Sequence, residues 1–232
     1  MSKVQQVCHT CGGRGKEGGC PKCGKTPRIV TEMRAMSLDV PADMIPATYQ
    51  GKLWKKPEVQ AGTPQKFTEF DIALEKVHNE FLNGRIPKFS MFIAAPPKSD
   101  KRVFAYSCLQ TALVQTFSVA PLLSTSDWRR LYKVSQMNPF YKLYDMYKWD
   151  DLVSRDVVFM FVDHSDDRFD VVSLLKDVLD TRAVFGKPTF IISDFKLQEL
   201  TPRWNAQDYT KIYNPLPDRD LYRYPVILHR FE

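Results

Sequence analysis

From residue 67 onward, apolar positions recur at two different spacings. Phe70, Leu74, Val77 and Phe81 share one face at helical spacing and predict a helix over residues 68–83. Thr68 and Asp71 resemble a capping box at its start, and Gly84 stands where a C-cap glycine belongs. Residues 89–95 (FSMFIAA) form a short apolar run that reads as a buried strand. Helical spacing returns over 101–117, and a second strand is expected over 119–124. Residues 126–148 are polar-aromatic and mostly helical, with an interruption near Pro139. A third strand follows at 157–162 (VVFMFV), then a helix over 169–185 that turns Val172, Leu175, Val178 and Leu179 inward. Residues 189–192 predict a fourth strand and 226–228 a fifth. Strands alternating with helices imply an α/β fold, a parallel sheet covered on both faces in three layers.

The chain upstream has a different character. Residues 1–26 are rich in Cys, Gly and Lys and nearly devoid of apolar side chains, so they cannot build a hydrophobic core. Residues 27–66 form a basic connector punctuated by prolines at 27, 41, 46, 57 and 64, with one apolar cluster over 45–54. The expected organisation is a small module (1–26), a connector (27–66) and an α/β domain (67–232).

Composition narrows the function classes only slightly. The 232 residues are 44% hydrophobic and 26% charged, a profile of soluble globular proteins. No stretch approaches the roughly 20 apolar residues needed to span a bilayer, and the first ten residues carry no apolar signal core. An intracellular address without a membrane partner is the expectation. The formal charge of +6 is a weak indication of an acidic or nucleic-acid partner.

The cysteines say more. Cys8 and Cys11 form one C-x-x-C pair, and Cys20 and Cys23 form another eight residues on. Two such knuckles can present four sulfurs tetrahedrally to one Zn²⁺, in the manner of a zinc ribbon. Gly12, Gly13 and Gly24 follow the pairs and let backbone amides turn toward the thiolates. Lys16, Lys22 and Lys25 offset the charge of a four-thiolate site. His9 lies inside the first knuckle, too close to its neighbours to serve as a further ligand. The competing reading is a set of free thiols or a redox pair. It leaves a coreless, glycine-rich segment with nothing to fold it, so a structural zinc is favoured. The run CHTCGGRGKEGGCPKCGK also resembles the cysteine-rich repeats of DnaJ-type chaperones, a resemblance that the remainder of the chain does not extend. Cys108 lies in an apolar helical stretch and reads as a small buried hydrophobe.

Residues 95–102 (APPKSDKR) lie between the first strand and a helix, the layout of a phosphate-binding loop. In a working loop glycines let backbone N–H groups wrap the phosphates, a lysine reaches the outer phosphates and a Ser/Thr hydroxyl holds Mg²⁺. Here Ala95, Lys98 and Asp100 stand in place of glycines, Ser99 completes the loop, and Arg102 stands in place of the hydroxyl. Lys101 alone keeps the expected chemistry. The strand over 157–162 ends in Asp163, where a carboxylate assisting Mg²⁺ would sit, and His164 follows in place of the second carboxylate. The fourth strand ends in Ser193-Asp194, at a position where a polar sensor, usually Asn, would face the phosphates.

Taken in order, these motifs resemble the replicative-helicase loaders of bacteria and phages, the DnaC/DnaI type of AAA+ protein. Residues 45–54, with Ile45-Pro46, Tyr49, Gly51 and Trp54, resemble the family's lead-in to its AAA+ domain. Residues 95–102 sit where family members have GPPGTGKT, 158–164 at the Walker B strand, and 181–200 at the following helix, strand and sensor region. The resemblance covers about residues 45–200 and rests on the order and spacing of weak motifs. It implies a P-loop NTPase core of AAA+ type, preceded by a module that grips the helicase. It also implies a replication role, with the replicative helicase or a host loader as partner, in the cytoplasm of a bacterial host cell and encoded by a phage. The vestigial nucleotide site would comprise Lys98, Ser99, Lys101, Arg102, Asp163 and Asp194. The departures argue against ATP and Mg²⁺ as working cofactors, so a pseudo-ATPase is expected, with an active ATPase using an unconventional loop as the competing enzyme reading.

Three further features have ordinary and functional readings. Residues 127–149 interleave aromatic and basic side chains, which suits single-stranded DNA, but an amphipathic helix packing its rings on the sheet is favoured. Asp163, His164, Ser165 and Asp166 suit a polar loop closing a buried strand better than a second metal site. Arg203, Arg219 and Arg230 are candidate inter-subunit contacts in a homo-oligomer. An inert adaptor or inhibitor that mimics a loader and captures a host replication protein is the alternative to a loader.

Overall fold

The computed structural model describes residues 8–11, 13–58, 65–138, 142–143, 147–162, 168–196, 199 and 226–229. After the cysteine segment comes helix α1 (Pro27–Met36), in a region where the sequence pattern indicated only a connector. Thr26 caps it by accepting from the Ile29 N–H at 3.3 Å, and Pro27 at the first position loses nothing, because that N–H has no helical partner. Helix α2 (Gln65–Leu82) ends in Gly84 at φ +71°, the left-handed conformation of a C-cap. Its start departs from expectation: the helix begins at Gln65, so Thr68 lies inside it and the capping-box reading of Thr68 and Asp71 fails.

Five parallel strands follow in the order β2-β3-β4-β1-β5. They are β1 (Met91–Ala94), β2 (Leu123–Ser124), β3 (Val158–Val162), β4 (Thr189–Ser193) and β5 (Val226–His229). The connecting helices are α3 (Lys101–Val114), α4 (Thr125–Met137), α5 (Trp149–Val153) and α6 (Arg168–Val184). The second strand is shorter than the apolar run predicts. Pro121 has no N–H to donate, and upstream of it only an isolated Val119–Val157 bridge forms. Helix α4 stops at Met137 because Asn138, which precedes Pro139, takes extended dihedrals (φ −140°, ψ 96°). Among the described residues that follow, Leu143 and Tyr147 form an isolated bridge where a helix was expected to run on toward Lys148, and the next helix begins at Trp149.

Every residue of β1, β3 and β4 is buried, as a sheet covered on both faces requires. The strand period of two sorts them into two cores. Phe92, Ala94, Val158, Met160, Val162 and Ile191 face α4, α5 and α6. Met91, Ile93, Phe159, Phe161, Phe190 and Ile192 face α2, α3 and the connector. Phe159 and Phe190 stack on adjacent strands at 4.8 Å, and truncating either to Ala should cost about 3–5 kcal/mol. Trp128 and Trp149 meet edge to face at 5.8 Å inside the first core, so these two rings of the aromatic-basic segment serve packing.

The connector is anchored to the domain. Ile45 and Trp54 are buried in the second core, and Trp54 lies edge-on to His78 and Phe104. Tyr49 stacks on Tyr106 at 4.4 Å. Gln110 of α3 accepts from the Gly51 N–H (2.8 Å) and donates to the carbonyls of Tyr49 (3.2 Å) and Lys52 (3.1 Å), satisfying a turn that no sheet or helix could. Gln115 donates to Thr31 Oγ1 at 3.0 Å, tying α1 to the end of α3.

Candidate phosphate loop and metal centre

The sheet register decides what faces the loop after β1. Ala94 pairs with Ser193, and the Ala95 N–H donates to the Ser193 carbonyl at 3.1 Å. Asp194, the first residue after β4, is therefore carried beside the loop. Its own N–H donates to the Val162 carbonyl at 3.1 Å, which holds its backbone against the end of β3.

Lys101 opens α3 and points back into this corner. Its Nζ lies 2.7 Å from Asp194 Oδ1, with side-chain exposures of 1% and 3%, so the two form a buried ion pair. The same ammonium donates to the Pro96 carbonyl (2.6 Å) and to Ser99 Oγ (3.3 Å). The one loop lysine with phosphate-binding chemistry is thus already matched to an anion and two oxygens.

The other loop residues lie as follows. Lys98 and Asp100 are exposed, Asp100 at the N-cap of α3 without a side-chain capping bond. Ser99 is half-buried, and its N–H donates to the Pro96 carbonyl at 3.0 Å. Arg102 lies with its guanidinium 4.0 Å above the Phe161 ring, a cation–π contact at the position where a metal-binding hydroxyl would be needed. Asp163, His164, Ser165, Asp166, Arg203, Arg219 and Arg230 lie outside the described residues. Among the described residues the donor set does not suit a magnesium-bound triphosphate: a carboxylate stands where phosphate oxygen is needed and an arginine where a metal ligand is needed.

The cysteine cluster gathers four sulfur donors in one place. All four Sγ atoms lie within 4.8 Å of one another, with Cys8–Cys20 at 3.9 Å and Cys11–Cys23 at 3.8 Å. Metal–sulfur bonds of about 2.3 Å in a tetrahedron place sulfurs about 3.8 Å apart, so the cage already has the size of a four-thiolate zinc site. Backbone turns shape it. The Arg14 N–H donates to the Cys11 carbonyl (2.9 Å), the Gly24 N–H to Cys20 (2.7 Å), and the Lys25 carbonyl accepts from both Lys16 and Cys20. Gly15 is required by contact as well as by its φ of +77°, since a Cβ there would meet the Thr26 carbonyl carbon at 2.4 Å.

The backbone N–H of Cys11 pulls the Cys8 thiol down to about 6, and that of Cys23 lowers Cys20. The Lys25 N–H pulls Cys23 down too, but desolvation and the surrounding sulfurs prevail and hold it up at about 11. Four thiolates this close cannot all ionise without a cation among them, and one divalent metal ion would supply it. The donor chemistry and spacing fit a single metal ion and are consistent with zinc.

One buried polar centre carried no recognisable motif. Arg182 of α6 is fully buried and donates to Val153 O (2.8 Å), Arg155 O (2.7 Å), Asp156 O (3.3 Å), Pro188 O (2.6 Å) and Thr189 Oγ1 (3.0 Å). Burial pushes its pKa down to about 9, opposed by the nearby Asp156 carboxylate. This arginine binds the entry turns of β3 and β4 together. A charge in the last turn of α6, in line with Val178 and Leu179, was its advance signal.

The topology and the strand–loop–helix corner define a three-layer α/β fold with a parallel sheet, in which the loop after β1 has the layout of a P-loop. No family model and no curated protein matches the chain. Among solved structures, it is similar to a protein assigned provisionally as a primosome component of Streptococcus pyogenes serotype M3, at TM-score 0.51 and 14% identity, covering 85% of this chain and 95% of that one. A DnaC helicase loader matches at TM-score 0.49 and 13% identity, covering 79% and 98%. DnaA of Aquifex aeolicus bound to AMPPCP matches at TM-score 0.45 and 13% identity. This chain spans about half the length of that DnaA structure, 48%. At these identities the likeness is one of fold. No described helix is long and apolar enough to cross a membrane.

Proposed function

We propose that this protein is an accessory factor of DNA replication that binds the replicative helicase and helps place it on single-stranded DNA without hydrolysing ATP. The observation that carries the reading is the joining of a four-cysteine metal cage to an AAA+-type core through an anchored connector. The provisional primosome assignment of the Streptococcus structure that shares this fold supports it. Residues 1–26 form a structural zinc module and the helicase-gripping end, 27–66 the connector, and 67–232 the AAA+-like domain, which contacts DNA or further copies of the chain. The setting is the cytoplasm of a bacterial cell, with a phage gene as the source.

The pairing of Lys101 with Asp194 underlies the loss of turnover: the lysine's charge is spent on a carboxylate, and the oxygen ligands of Mg²⁺ are incomplete. Capture of the helicase from native cells in the absence of ATP is the expected result, and replication proteins missing from the captured set would refute the reading. Robust Mg²⁺-dependent hydrolysis, abolished by Lys101→Ala, would instead establish an active ATPase. The neutralised loop also favours a second reading, an inhibitor that mimics a loader, because a binder without turnover captures more readily than it releases. A reconstituted loading assay separates the two, since a loader raises helicase loading on single-stranded DNA and a mimic blocks it.

A further inference from the structure

We propose that Asp194 is a built-in surrogate for a phosphate group, occupying the anion position in front of Lys101 and excluding polyphosphates from the loop. The inference rests on the reading of a domain that does not turn over nucleotide, and it assigns that property to one residue.

Three observations carry it. First, the carboxylate makes the contact a phosphate oxygen would make, 2.7 Å from the loop lysine's Nζ. Second, the pair is buried almost completely, so neither charge can be screened by water while the other is engaged elsewhere. Third, Asp194 cannot easily withdraw. Its N–H is bonded to Val162 O, and the neighbouring Phe195 N–H to Ser193 Oγ at 2.9 Å, which fixes the turn leaving β4. A phosphate entering this corner would meet a fixed carboxylate of its own sign and leave that carboxylate buried without its cation. Both consequences oppose binding. The closed corner joins β1, α3 and β4 in the way a bound nucleotide would, but without ligand. The domain is thereby held in one state regardless of nucleotide concentration.

The test uses the full chain and its Asp194→Asn, Asp194→Ala and Asp194→Asn/Lys101→Met variants, with pyrophosphate, ADP and ATP as probes. Calorimetric titration and thermal unfolding report binding. The wild type should show no saturable binding. Asp194→Asn should bind pyrophosphate at least about a hundredfold more tightly than the wild type, because the like-charge opposition is gone. That gain should vanish when Lys101 is also replaced. Asp194→Asn should unfold below the wild type, and pyrophosphate should recover part of the loss. Acetate, which restores a carboxylate, should do the same for Asp194→Ala. If the variants fold only on refolding with an anion present, the surrogate role is supported; if no anion restores them, it is overturned.

A folded Asp194→Asn protein that gains no anion binding overturns the surrogate role and leaves the non-hydrolysing reading intact. Wild-type binding of ATP without turnover also overturns only the surrogate. Wild-type binding with turnover overturns both.

Discussion

Arg182 should be among the most stability-critical side chains in the domain, although it lies away from both candidate sites. Replacing it by Ala removes the donors to five oxygens, of which Val153 O, Pro188 O and Thr189 Oγ1 receive buried bonds. A buried acceptor stripped of its donor costs about 1–3 kcal/mol. The carbonyls of Arg155 and Asp156 are nearer the surface and can recruit water. Relief of the cost of burying a guanidinium, visible in its depressed pKa of about 9, offsets part of the loss. The net expectation for Arg182→Ala is a loss of about 3–5 kcal/mol, or a melting temperature lower by roughly 8–15 °C for a chain of this size. Arg182→Lys keeps a charge but reaches fewer acceptors and should fall between. Arg182→Met fills the volume without donating and should resemble Ala. Urea unfolding followed by circular dichroism measures all three. Arg182→Met within about 1 kcal/mol of the wild type would refute the reasoning, because it would show that volume and not hydrogen bonding holds the two turns.

Two other perturbations have defined outcomes. The purified protein should carry about one equivalent of zinc, and less than about half an equivalent would refute the metal site. Removing the metal by chelation, or replacing Cys20 by Ser, should expose the amides of residues 8–26 to hydrogen exchange while the sheet stays protected. His78 is neutral in the fold because burial, and secondarily Arg28, push its pKa from 6.5 down to about 4, while its Nε2 lies 2.7 Å from Ser107 Oγ. As pH falls below 6.5 the unfolded chain takes up a proton that the folded chain refuses until about 4, so stability should drop across that window. The slope is about 1.4 kcal/mol per pH unit, up to roughly 3 kcal/mol in total. Urea midpoints between pH 7 and pH 4 should show this, and His78→Leu should flatten the slope; an unchanged slope would assign the acid sensitivity to other groups.

Much of this molecule follows from local pattern. The two C-x-x-C pairs, in a segment with no apolar residues to pack, already point to a metal site, and the fold brings their four sulfurs together. The alternation of buried strands and amphipathic helices is also local. A run such as VFMFV asks to be covered on both faces, and its alternation with helices implies a parallel sheet between helix layers. Asn138 ends α4 because the following proline excludes it from helical dihedrals.

Other properties are set by which strands become neighbours, and spacing along the chain does not encode that. Placing β4 between β1 and β3 brings Asp194 against Lys101, changing a worn loop into a closed ion pair. The same packing draws five acceptors from two turns around Arg182, and lets Gln110 and the second core capture a connector that reads in isolation as a proline-broken linker. Short-range chemistry determined the metal cage and the elements. Long-range contact decided that Lys101 is paired with Asp194, because the energy of a buried charge depends on what the fold puts beside it.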